Sequence, residues 1–175
     1  KNLNPEDIFG QFKQLLDPLI HYRTEVFRLS AQSIFNIAVY LYDESSDSLK
    51  IFYRYHDDRL QTTNRAWKPG FGHVGRAFLH ERMYICDDMT KYPDYNINSQ
   101  KHDDKYYRSF ASIPLQQECN GDKPLGVLVL TSSEKDEFTA PVHENSLLIM
   151  SQLMTIFLVE AKKCLNSGAL TDVCK

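Results

Sequence analysis

The sequence predicts an α+β fold, an antiparallel sheet with a helix at each end of the chain, and three observations carry that expectation. Ile34 to Tyr55 reads as one hairpin. Its first arm, Ile34 to Tyr42, is almost wholly apolar, β-branched and aromatic; a polar turn follows, and then Leu49, Ile51, Tyr53 and Tyr55 alternate with Lys50, Phe52, Arg54 and His56. Ser109 to Gln116 and Leu125 to Ser132 read as a second hairpin across a Glu118 to Asp122 turn that holds Asn120-Gly121. Apolar residues recur at helical spacing near both ends: Ile8, Phe12, Leu15 and Leu16 at one, and Leu147, Met150, Met154, Phe157, Ala161 and Cys164 at the other.

In chain order, Asn4 is placed to cap the first helix, with Pro5 at its first position and Asp7 near the positive end of the dipole. Asp17-Pro18 repeats that start signal and predicts a second helix, or a kinked continuation, to about Leu29. The near-continuous apolar run of Ile34 to Tyr42 is that of a central strand buried on both faces. His56 to Arg65 is polar and reads as a loop. At Lys68 to Phe78, Gly70 and Gly72 supply the positive φ of a sharp corner, and Val74, Ala77 and Phe78 then give a short helix its apolar stripe. Met83 to Asp87 is a short strand. Thr139 and Pro141 mark the start of the last helix, which runs to near Leu165.

Asp88 to Lys105 is the least regular stretch, rich in Tyr, Asp, Asn and Lys and broken by Pro93. Irregular segments of this length within a domain are usually functional or disordered. Tyr92, Tyr95, Tyr106 and Tyr107 are too many aromatics for a plain linker, and the segment is expected to form a lid. It leads into Arg108 and Ser109 at a helix-to-strand corner, with no glycine between.

The 175 residues fit one domain with a core of its own, and a net charge of -3 excludes the broad cationic field of a nucleic-acid binder. No apolar run reaches the ~20 residues of a membrane span. The four cysteines, Cys86, Cys119, Cys164 and Cys174, show no C-x-x-C spacing, which points to a reducing, cytoplasmic compartment. Lys1 stands where an initiator methionine would, as in a piece of a longer protein.

Four phrases, in order, resemble the GAF domain family: Gly72-x-x-Gly75 opening a helix, a strand ending in Asp87-Asp88, Arg108-Ser109 before an apolar strand ending Pro114-Leu115, and Pro124-Leu-Gly-Val-Leu-Val-Leu130 before a long final helix. The resemblance covers roughly Ser30 to Glu160. It implies a sheet of five or six strands, with the first and last helices on one face and an Asp87 to Arg108 lid over a ligand pocket on the other. It implies a regulatory sensor of a signalling protein, binding a small molecule, a cyclic nucleotide foremost, and controlling an output domain such as a cyclase, kinase or transcription regulator. It also implies a homodimer through the terminal helices, divided as a 1–29 helical stem, a 30–165 sensor and a 166–175 tail or linker.

The ligand residues so implied are Asp88, Tyr92, Tyr95, Tyr107, Arg108, Ser109 and Phe110. Tyr92, Tyr95 and Phe110 would sandwich a flat ring, and Arg108 with the Ser109 hydroxyl would meet a phosphate or carboxylate. A ligand-free dimerisation module is the bland alternative. The family's free methionine-(R)-sulfoxide reductases are an enzymatic one, using low-pKa thiols in the region of Cys86 and Cys119. Cys86 departs from that pattern, because it sits in Tyr84-Ile-Cys-Asp87, where two aspartates disfavour a thiolate. No catalytic residue, metal or cofactor is therefore expected. His102 with Asp103 and Asp104 looks ligand-like but lies in a solvated charged stretch. Glu134 to Phe138 only loosely echoes the Asn-Lys-x-Phe-Asp-Glu pattern of phosphodiesterase GAF domains.

Overall fold

The computed structural model describes residues 4–60, 62, 64–92, 94, 106–116 and 122–165. Its sheet has five antiparallel strands in the order β2-β1-β5-β4-β3, formed by β1 (Phe35–Asp43), β2 (Ser48–His56), β3 (Tyr84–Cys86), β4 (Ser109–Leu115) and β5 (Gly126–Ser132). The helices are α1 (Pro5–His21), α2 (Arg23–Val26), α3 (Gly72–His80) and α4 (Glu144–Cys164), with a 3-10 turn at Met89–Lys91. The α+β class, both hairpins and the placing of the terminal helices are as the sequence predicts.

One face of the sheet carries α1 and α4 and is termed the stem face. Strand alternation points Ile37, Val39, Leu41, Ala111, Ile113, Leu115, Leu128 and Leu130 at it, and the helices answer with Ile8, Phe12, Leu16, Leu147, Met150, Met154 and Leu158 in one buried cluster. Phe12 is fully buried between Phe52, 5.2 Å between ring centroids, and Phe157 at 5.5 Å. Each such side chain contributes roughly 1.5–3 kcal/mol by burial. The apolar face of α1 is thus part of this chain's own core, and so are Leu158 and Ala161. The resemblance gives the 1–29 segment to a dimer stem; the structure instead uses its apolar face to cover this chain's own sheet.

Asn4 does cap α1, accepting from Asp7 N–H at 2.8 Å, and of the two readings at Asp17-Pro18 the continuation holds, with Pro18 inside the helix and Asp17 paired with Lys13 one turn back. Two other local expectations are corrected. The last helix begins at Glu144 after a turn, not at Thr139. In β2 the alternation is broken by a bulge: the register steps from Val39↔Tyr53 to Tyr40↔Ile51 and leaves Phe52 as the extra residue, so Leu49 and Ile51 face α3 while Phe52 and Tyr53 join the stem face. A bulge inserts one residue and so exchanges the two faces of everything beyond it.

The opposite face carries α3, whose Val74, Ala77 and Phe78 pack on Ala38, Tyr40, Val127 and Val129. Gly70 and Gly72 have φ of 85° and 59°, as the corner requires. Gly75 is fixed by space: a Cβ there would lie 2.1 Å from the Lys68 carbonyl oxygen.

Candidate functional site

The α3 face differs from the stem face in what its strands place there. The register aligns His56, Asn36, Thr131, Phe110 and Cys86 in one row across the five strands. From α3, His73 lies over this row, its ring 4.1 Å from Phe110 at 24° and its Nδ1 2.6 Å from Ser112 Oγ. Burial pushes the His73 imidazole down to about 3, so it is neutral at pH 7. Trp67 stands beside it at 6.0 Å.

Several buried polar atoms here have no partner among the described residues. Asn36 is 6% exposed; its amide nitrogen donates only a long 3.5 Å bond to Thr131 Oγ1, and its amide oxygen accepts none. Trp67 Nε1 and Arg108 Nε are likewise buried and unbonded. Buried polar groups are normally paired, and each exception calls for an explanation.

The residues implied by the resemblance fall out unequally. Arg108 sits at the predicted corner, half-buried, its N–H donating to Ser132 O and its carbonyl accepting from Met89 N–H, both at 2.7 Å. Phe110 is wholly buried on the α3 face, and Tyr107 packs against the cluster of Cys86, Met89 and Phe110. Tyr92 is 48% exposed after the 3-10 turn. Tyr95, Cys119, Asn120-Gly121, His102, Asp103, Asp104 and most of the expected lid lie outside the described residues.

One of these roles is corrected by geometry. Ser109 and Phe110 are adjacent in a strand and so point to opposite faces; Ser109 is fully buried, with its hydroxyl donating to Glu134 O at 2.7 Å, and cannot share a pocket with Phe110. Phe110 itself already carries His73 stacked on one face of its ring.

Asp88, given to the ligand, is a fastener. Its carboxylate caps the 3-10 turn through Thr90 and pairs with Lys135 at 2.6 Å, and that pairing holds it well below the usual carboxylate range. The Glu134 to Phe138 phrase works with it: Asp136 N–H donates to Asp87 O, and the Glu137 carboxylate accepts from Ser30 N–H.

His73, Trp67, Ser112, Asn36 and Thr131 were not singled out from the sequence. A signal existed for the last two, which are polar positions inside strands otherwise apolar on both faces. Cys86 is 2% exposed, and burial, with Asp87 and Asp88 adding to it, pushes its thiol up to about 11. It is not a thiolate at neutral pH.

A GAF domain family model matches residues 14–159. No relative is found among curated proteins. Among solved structures, the chain is similar to a GAF domain region of a putative membrane protein from Geobacter sulfurreducens PCA, with 20% identity, TM-score 0.67, and 89% of this chain and 97% of that one covered. It is also similar to the GAF domain of an Acinetobacter phosphoenolpyruvate-protein phosphotransferase, with 15% identity, TM-score 0.63 and 91% and 95% covered. A type II free methionine-R-sulfoxide reductase from Thermoplasma acidophilum aligns at 16% identity and TM-score 0.65, with 87% and 96% covered. At such identities the likeness is one of fold.

Proposed function

The chain belongs to the GAF domain family, and we propose that it is a regulatory module of a cytoplasmic signalling protein that senses a small molecule on its α3 face and controls an attached output domain. The observation that carries this reading is the presence of buried polar atoms without a partner at that face and at the corner leading into β4, Asn36 Oδ1, Trp67 Nε1 and Arg108 Nε among them. A fold that needed only stability would fill those positions with apolar groups. The ligand class suggested by the resemblance is a cyclic nucleotide, with Arg108 as its anion clamp and Tyr92, Tyr95 and Tyr107 near its base. No helix among the described residues is long and apolar enough to cross a membrane.

Against a sulfoxide reductase stands the Cys86 thiol, buried and raised far above neutral pH. Dimerisation is part of the proposal, through a surface the sequence did not pick out: Ile149, Leu153 and Ile156 are 58%, 50% and 60% exposed along the outer side of α4. An exposed stripe of this kind marks an interface more often than a solvated surface. A thermal-shift screen of the chain with cyclic nucleotides, nucleobases and amino acids tests the sensing reading. A ligand at about 100 times its Kd adds about 2.7 kcal/mol to stability; silence across the screen would favour the ligand-free dimerisation module.

A further inference from the structure

Asn36 stands in the middle strand neighbourhood of the sheet, between His56 of β2 and Thr131 of β5, and its side chain is almost wholly removed from solvent. A planar amide there offers a donor and an acceptor side by side. Its neighbours leave both nearly free: Thr131 Oγ1 is 3.5 Å from the nitrogen, and the oxygen is unbonded. The complement of such a group is another amide-type edge, an N–H beside a carbonyl or ring nitrogen, as when an asparagine pairs bidentately with adenine.

The rest of the face narrows the chemistry. His73 is held neutral, Cys86 is a thiol, and Asp88 is engaged by Lys135 and Thr90. None of these offers a cationic head group a free carboxylate. Two buried donors without a partner are Trp67 Nε1 and Arg108 Nε, Arg108 standing two residues before Phe110 where the chain enters β4. They ask for an acceptor and an anion.

Resting on the sensing reading above, we propose that Asn36 is the recognition residue of a buried subsite for a small molecule with a planar amide-type edge and an anionic group, Asn36 reading the edge and Arg108 holding the anion. Nucleotides and carboxamide acids both carry that pair of groups.

Calorimetry and thermal shift on the full chain would use AMP and GMP as nucleotide probes and glutamine as the carboxamide probe. Methionine sulfoxide, which lacks the edge, and inorganic phosphate, an anion alone, are the controls. An edge-bearing probe is expected to stabilise the wild type, and which of them does so identifies the source. Asn36→Leu should weaken that probe at least tenfold while melting, without ligand, no lower than the wild type, because it removes an unpaired buried amide. Asn36→Ala provides the same binding test should leucine not fit.

If both variants melt lower without ligand and bind the probe normally, Asn36 is structural and the proposal is overturned. Stabilisation by methionine sulfoxide, or by some other edge-lacking compound of the wider screen, with none from AMP, GMP or glutamine, also overturns it and leaves the sensing reading standing. Silence from every compound overturns both.

Discussion

The two faces of one sheet are built to different rules. On the stem face, β1, β4 and β5 present Ile37, Val39, Leu41, Ala111, Ile113, Leu128 and Leu130, and α1 and α4 close over them with apolar side chains. On the α3 face the same strands present Asn36, Thr131 and Ser112 among their apolar residues, and His73 is buried above them. Burying polar groups opposes folding unless each is paired. The stem face therefore supplies stability that the α3 face draws upon, and truncations should separate the two.

The largest effect is expected at the centre of the stem face. Phe12→Ala removes a fully buried ring that touches Phe52, Tyr53 and Phe157, and should destabilise by about 3–5 kcal/mol, read as a lower urea midpoint. A loss below about 1 kcal/mol would mean that α1 is not part of the core and would break the comparison at its firmer side.

Next in size is a pH effect confined to the α3 face. Burial holds His73 down to about 3, against about 6.5 in the unfolded chain. Between those values the unfolded state takes up a proton that the folded state refuses. The stability is thus fully present above about pH 6.5 and is lost as pH falls toward 3. From pH 7.5 to pH 5 the loss from this one group is on the order of 2 kcal/mol. In His73→Gln that part of the slope should vanish from denaturation curves taken at the two pH values; an unchanged slope would show that His73 is not responsible.

These contrasts were partly legible in the sequence. The strands, the glycine corner and the amphipathic ends follow from period and turn chemistry, which are local, and so they were read correctly. The bulge at Val39/Tyr40 was not, since nothing in Leu49 to Tyr55 distinguishes a regular alternation from one that changes face halfway. Site residues suffered most. The resemblance assigns Ser109, with Arg108, to the same ligand as Phe110, although period two sends Ser109 and Phe110 to opposite faces. His73 gives no site signal in the sequence, because its partners Ser112 and Phe110 come from a strand more than thirty residues on.

A smaller effect on the single chain is expected from the outer side of α4. Ile156 is 60% exposed while Phe157, next to it, is half-buried against Phe12. Ile156→Glu should alter the stability of the monomer by less than about 0.5 kcal/mol, yet shift the sedimentation profile from dimer to monomer. Phe157→Glu should instead destabilise the fold itself. If Ile156→Glu sediments as the wild type does, the exposed stripe is not the dimer surface.

The smallest expected change in stability is at Arg108, and it bears most directly on what the α3 face is for. Its backbone holds the corner through Ser132 and Met89, bonds that a side-chain substitution leaves in place. Its guanidinium has no ion pair among the described residues, and Nε is buried without a partner. Deleting a group that makes no bond removes no stabilising contact, so Arg108→Gln should shift the urea midpoint by the equivalent of less than about 0.5 kcal/mol. The same substitution should weaken any anionic ligand found in the screen at least tenfold, since charge-assisted bonds are the strong ones in such a site. A variant that binds normally would remove Arg108 from the site. One that unfolds readily would make it structural, and the division between a stabilising face and a sensing face would then have to be drawn elsewhere.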